Sequence, residues 1–158
     1  MTIKPGDSIP SGTLYMMGAD GPTSASTDDF FKGKKVAMFG LPGAFTPTCS
    51  AQHVPSYLSN AAALKEKSVD SIICLSVNDA FVLGAWAKDQ GVGDNIIMAG
   101  DGSGLLTKAM GLEFMSLDKG IRCQRFSMIV DDGVVSVLNH EAAGEYRISS
   151  AENMLNQL

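Results

Sequence analysis

Apolar residues recur along this chain in short runs separated by glycine, proline and acidic turns, at strand or helix spacing. Val36-Ala37-Met38-Phe39 closes at Gly40, Ser71 to Val77 is apolar on both faces, and Ile96-Ile97-Met98 forms a third run. Such unbroken runs predict central strands buried on both sides. Arg125 to Val130 and Val134 to Leu138 flank Asp132-Gly133, the strongest hairpin signal in the chain. Between these runs the spacing turns helical. One helix is expected from about residue 47 to 66, with Thr46 as N-cap and Pro47 in the first helical position. Pro55 should kink it.

Asp79 can cap a second helix running to about Gln90 with Phe81, Leu83, Ala85 and Trp86. A short helix is expected from Gly104 to Met110, and the tail from Ser149 suits a closing amphipathic helix with Met154, Leu155 and Leu158. Residues 1–33 read as an irregular lead-in with a β-like piece at Thr13 to Met16 and room for a hairpin. Alternation of strands and helices followed by a hairpin predicts an α/β class with a mixed sheet. No repeat or linker divides the chain, so one domain over residues 1–158 is expected.

Composition narrows the classes. The chain has 158 residues, 45% hydrophobic and 18% charged, enough for a core and unlike a disordered segment. Its formal net charge of −5 does not suggest a nucleic-acid surface, and Lys32, Lys34 and Lys35 read as a solvated turn. No apolar run is long enough to span a bilayer, and the first residues lack the apolar core of a signal peptide. Three widely spaced cysteines make no disulfide framework, which points to a reducing compartment, the cytoplasm being the simplest.

The run Pro42-Gly43-Ala44-Phe45-Thr46-Pro47-Thr48-Cys49-Ser50 places Cys49 in the first turn of the expected helix. There the amides of Thr48 and Cys49 have no helical partner, and the positive end of the helix dipole favours thiolate over thiol. Thr46 adds a hydroxyl to cap the helix or to bond the sulfur, while Pro42 and Pro47 stiffen the loop. A thiolate beside such donors suits attack on an electrophile that leaves negative charge on oxygen, a peroxide O–O bond being one. The bland alternative is a buried, inert cysteine, as most free cysteines are.

His53 lies four residues after Cys49, so a Cys–His pair is geometrically available; a polar residue at the pocket edge is the simpler expectation. Cys74, 25 residues after Cys49 on an apolar strand, reads as a core cysteine, the alternative being a resolving thiol. Cys123 is expected to be partly exposed and incidental, and His140 has no evident partner. Gly100 to Gly104 lacks the features of a phosphate loop, Asp131-Asp132-Gly133 those of a calcium loop, and no spacing suits zinc. No metal and no cofactor is expected.

The segment resembles the active-site motif of the peroxiredoxins, with Pro42, Thr46 and Cys49 in register. Gln52-His53-Val54-Pro55, Leu75-Ser76-Val77-Asn78-Asp79 and Arg125-Phe126-Ser127-Met128 are similar to the peroxiredoxin 5, or type II, branch. The resemblance runs from about residue 3 to the last residue. It implies a thioredoxin-like fold with an N-terminal β-rich addition, a homodimer, and reduction of hydrogen peroxide and organic hydroperoxides by thiols. It implies Cys49 as nucleophile, Thr46 and Arg125 as its catalytic partners, and Pro42, Thr48 and His53 bordering the substrate. From the residues alone Arg125 is an ordinary strand-edge arginine, and Arg122 and Arg147 are equally available.

Relatives with an intramolecular resolver carry it near the C-terminus, where Arg147-Ile148-Ser149-Ser150 has no cysteine. An external thiol is therefore expected, glutaredoxin with glutathione or thioredoxin. Competing readings are a thioredoxin-type oxidoreductase, whose second cysteine is missing at Thr46 and Gln52, and a non-catalytic peroxide sensor or redox interaction protein. A cysteine hydrolase fits less well, because no acid can be assigned to orient His53.

Overall fold

The computed structural model describes residues 1–158. A hairpin of β1 (Thr13–Gly18) and β2 (Gly21–Ser26) leads into α1 (Thr27–Phe31), then β3 (Lys35–Gly40). After a π turn at Cys49–His53 come α2 (Val54–Ser59), α3 (Ala61–Glu66), β4 (Ser71–Ser76), α4 (Ala80–Gln90), β5 (Ile97–Gly100) and α5 (Leu105–Ala109). The chain ends with β6 (Glu113–Ser116), β7 (Gly120–Cys123), β8 (Phe126–Asp131), β9 (Val134–His140) and α6 (Ala151–Leu155).

Seven strands form one mixed sheet in the order β2-β1-β5-β4-β3-β8-β9, while β6 and β7 pair separately. The neighbours β3, β4 and β5 are parallel and their long apolar runs sit at the centre. Side chains alternate between two cores. Ala37, Phe39, Ile72 and Cys74 face a layer shared with Cys49, Tyr57, Leu64, Trp86 and Met154. Val36, Met38, Ile73 and Leu75 face the other, with Phe31, Leu106, Cys123 and Phe126. Burial of each large side chain contributes roughly 1.5–3 kcal/mol, so the sheet is held from both sides.

Local chemistry sets several boundaries as expected. The Asp79 carboxylate accepts from the Val82 amide at 2.8 Å and starts α4, which ends at Gly91 in the left-handed region, φ 65°. Asp132 and Gly133, at φ 49° and 79°, make the tight turn between β8 and β9.

Other expectations need correction. The helix foreseen from 47 to 66 begins at Pro47 but is not one helix kinked at Pro55. Pro55 has no amide to give, and the Val54 amide reaches back to the Cys49 carbonyl, which widens the turn upstream; a second break falls at Asn60. The lead-in contains α1, whose Ser26 and Asp29 form a reciprocal capping box. The ribbon of β6 and β7 was not anticipated. Cys123, expected near the surface, is fully buried in the second core. The closing helix is shorter than expected, with Ser150 capping it. No helix is long and apolar enough to cross a membrane.

Gly40 is where β3 passes closest to Phe126: a Cβ there would come within 2.1 Å of the Phe126 ring. Gly40→Ala should therefore destabilise the protein by about 1–3 kcal/mol in urea unfolding, as overpacked cores do. Wild-type stability would show that the sheet gives way without cost at this point.

Candidate active site

Antiparallel register brings the site together. β3 and β8 are neighbours with Gly40 opposite Phe126, so the loop that follows Gly40 and the residue that precedes Phe126 meet at one end of these interior strands. Leu41 stays tied to β4 through its amide and the Leu75 carbonyl, 3.2 Å. The Ala44 amide donates to the Asn78 side chain at 3.0 Å, and the Ser76 hydroxyl also bonds Asn78. Thr46 Oγ1 donates to the Gly43 carbonyl at 2.7 Å and closes a turn in which Phe45 takes φ 61°, a strained value for an aromatic residue. The Thr46 carbonyl then accepts from the Ser50 amide, and the helix begins. Thr46 thus stands at the helix start, yet its hydroxyl caps neither the helix nor the sulfur. Its proton is given to Gly43, so its oxygen remains free to accept.

Cys49 is fully buried. The amides of Thr48 and Cys49 donate to no group in the protein, as expected for the first helical turn. Arg125 Nη2 donates to Cys49 Sγ at 3.3 Å, and Arg125 Nη1 lies 2.8 Å from His53 Nδ1. The guanidinium also sits over the Tyr146 ring, 5.8 Å from its centroid. None of the ion pairs in the protein involves Arg125, so no carboxylate neutralises it. Its partners are the Cys49 sulfur, the His53 ring nitrogen and the Tyr146 face.

His53 is buried rather than at the pocket edge. Its Nδ1 faces a guanidinium, which can only donate, so that nitrogen accepts and Nε2 carries the proton. Nε2 donates to the Ser149 carbonyl at 3.0 Å, which fits this tautomer. Burial first, and the Arg125 charge second, push the imidazole down to about 3, against a smaller opposing effect of the Ser149 carbonyl. The ring is neutral and serves as an acceptor for Arg125.

A cavity of about 410 Å³ opens at this end of the strands, lined by Pro42, Thr48, Phe114, Gln124, Arg125 and Glu141 together with residues 142–145. Pro42, Thr48 and Arg125 therefore line one cavity, whereas Thr46, Cys49 and His53 are not among its lining residues. The other arginines are occupied elsewhere: Arg122 donates to Val77 and Lys119 carbonyls, and Arg147 lies 3.7 Å from Glu145. Cys74 sits opposite Phe39 in the layer of Cys49; burial, then the nearness of Cys49, pushes its thiol up. Burial, then Asp101, does the same to Cys123 on the far side of the sheet. Both thiols are unpaired. His140 has a partner after all, the Gln124 side chain at 2.6 Å. No three metal-ligating side chains gather anywhere.

Glu141, Tyr146 and Ser149 also belong to the site, and no spacing in the sequence announces them. Burial acts to raise the Glu141 carboxyl, but hydrogen bonds from Ser149, Ile148 and Arg147 outweigh it and hold it below its ordinary value.

The profile of the Redoxin family matches residues 4–155. Peroxiredoxin-2B of Arabidopsis thaliana is 45% identical over 159 residues, which span 99% of this chain and 98% of that protein. The structure of reduced Prx3 from Vibrio vulnificus in complex with hydrogen peroxide superimposes with a TM-score of 0.95 at 43% identity, covering 99% of each chain. Peroxiredoxin 5 from Alvinella pompejana gives 0.87 at 32% identity over 98% of this chain and 96% of that one. The mixed sheet with its flanking helices is thus the thioredoxin-like fold that the motifs implied.

The neutral His53 has a consequence for pH. Between its ordinary value of 6.5 and about 3, the unfolded chain binds a proton at residue 53 that the folded chain does not. Stability is therefore full above pH 6.5 and falls as pH drops, by about 2 kcal/mol between pH 7 and pH 5. Urea unfolding of wild type and His53→Gln at both pH values should show this loss in wild type only. Equal losses would contradict a buried neutral imidazole.

Proposed function

This chain belongs to the Redoxin family and is a peroxiredoxin of the type II branch, a thiol-dependent peroxidase, and from that premise we propose how its residues divide the work. The observation that carries the proposal is the unneutralised Arg125 guanidinium, which lines the cavity and stands 3.3 Å from the buried Cys49 sulfur.

Cys49 is the nucleophile. Its thiolate attacks one oxygen of a hydroperoxide; the S–O bond forms, the O–O bond breaks, and the alkoxide or hydroxide that leaves takes up a proton as alcohol or water. Sulfur is oxidised to sulfenic acid and the peroxide is reduced. Of the five N–H donors of Arg125, His53 and Cys49 engage two; the others are free for peroxide oxygens. The free Thr48 and Cys49 amides add stabilisation for the developing oxyanion, and Thr46 Oγ1 accepts a hydrogen bond from the hydroperoxide O–H. Pro42 and Thr48 flank the substrate. His53 acts through Arg125 and does not touch the substrate.

An external thiol restores Cys49. One thiol condenses with the sulfenic acid to a mixed disulfide and water; a second displaces Cys49 and leaves as the external disulfide. Glutaredoxin with glutathione, or thioredoxin, is the proposed donor. The burial of Cys74 argues against it as resolver, since a disulfide to Cys49 would need strand β4 to open. We place the protein in the cytoplasm, where its three unpaired thiols would stay reduced. We also propose a homodimer; the exposed side chains of Phe45, Phe81 and Leu117 are apolar surface that a second copy would cover.

Peroxide consumption coupled to glutaredoxin/glutathione and, separately, to thioredoxin provides the test. Cys49→Ser should abolish turnover with either donor, whereas Cys74→Ser should keep it within about two-fold. Turnover by Cys49→Ser would remove residue 49 from the mechanism. Loss of turnover in a folded Cys74→Ser protein would make Cys74 the resolver.

A further inference from the structure

We propose that Glu141 is a positioning residue of this peroxidase site, acting through Ser149 and His53 to aim Arg125 at the Cys49 sulfur. The proposal rests on the peroxidase reading of Cys49.

The segment between β9 and α6 has no regular structure, and residues 142–144, 147 and 148 are exposed, so something other than a ladder must hold it. One carboxylate oxygen does so. Glu141 Oε2 accepts from the amides of Arg147, Ile148 and Ser149, each at 2.8 Å, and from Ser149 Oγ at 2.7 Å. Bonds to a charged acceptor are shorter and about twice as strong as neutral ones, and four on one oxygen define the turn.

The turn presents the Ser149 carbonyl inward, where it accepts from His53 Nε2 at 3.0 Å and from Tyr57 OH at 3.1 Å. That carbonyl accepts from Nε2–H and so, together with the guanidinium on the other side of the ring, keeps Nδ1 bare to receive Arg125. With no carboxylate beside it, the Arg125 fork has His53 Nδ1 and the Tyr146 face to orient it. The groups facing His53 are Arg125, the Ser149 carbonyl, and the rings of Phe39, Tyr57 and Tyr146. Glu141 grips the arginine from a second side as well, its own amide donating to the Arg125 carbonyl at 3.0 Å. One residue thereby sets both the backbone of Arg125 and, three contacts away, its guanidinium.

A residue that merely stiffened a loop would not govern the tautomer of a buried imidazole. The chain contains two histidines, so nitrogen NMR of labelled protein reads His53 with His140 as internal control. Single-turnover oxidation of Cys49 by hydrogen peroxide supplies the rate. Folded Glu141→Gln should oxidise about ten-fold more slowly, with His53 no longer a single Nε2–H tautomer and His140 unaltered. The Glu141→Gln/His53→Leu double variant should be no slower than His53→Leu alone.

An unchanged rate in Glu141→Gln would overturn the proposal. So would a slowed rate with an intact His53 signal, or additive losses in the double variant, because Glu141 would then act from the cavity wall rather than through His53. Should Glu141→Gln not fold, Ser149→Ala decides: it removes one of the four donors and should slow oxidation about two- to three-fold with a mixed His53 signal, whereas wild-type behaviour in both readouts overturns the idea. Wild-type protein that fails to react with peroxide would instead sink the peroxidase reading.

Discussion

A sulfur anion taken out of water survives only where a positive charge or a set of donors replaces its hydration. Cys49 is fully buried, and Arg125 stands 3.3 Å away with no carboxylate to neutralise it. The rest of the site follows from this contact. The guanidinium cannot lose its proton, so the charge is permanent. Because it is a planar fork rather than a point, something must set its orientation, and a neutral imidazole does so without competing for the charge.

The fold supplies that contact at long range. Cys49 and Arg125 are 76 residues apart, yet the antiparallel pairing of β3 with β8 brings both to one end of these interior strands. The π turn keeps Cys49 and His53 in one short stretch of helix while directing both toward Arg125. Widened turns of this kind are uncommon in helices and recur at functional sites. Behind them, Phe39 stacks on Tyr57 at 4.1 Å and backs the imidazole, so the arginine's support is itself part of the core.

What the sequence discloses is what short-range chemistry determines. Asp79 caps its helix, Asp132-Gly133 turns its hairpin, and Val36 to Phe39 is buried on both faces, each within a few residues of its cause. Cys49 and Pro42 were legible because motif and helix start coincide. Arg125 was not separable from Arg122 or Arg147 by composition; only the resemblance singled it out, and register explains why it alone reaches the sulfur. The burial of His53 and the grip of Glu141 depend on partners such as Ser149, 96 residues from His53, and no local pattern carries them. The ribbon of β6 and β7 escaped because Met115 and Leu117 face solvent and blur any alternation.

The arginine's fork, as distinct from its charge, is the point most open to direct measurement. The rate of Cys49 oxidation by hydrogen peroxide, divided by the rate of its alkylation by iodoacetamide at the same pH, separates the two in wild type and Arg125→Lys. Lysine keeps the charge and loses the planar donors. If the guanidinium holds peroxide oxygens as well as sulfur, the ratio falls by about ten-fold or more in the lysine variant. An unchanged ratio would mean that Arg125 contributes charge alone, and the geometry around Cys49 would lose its claimed purpose.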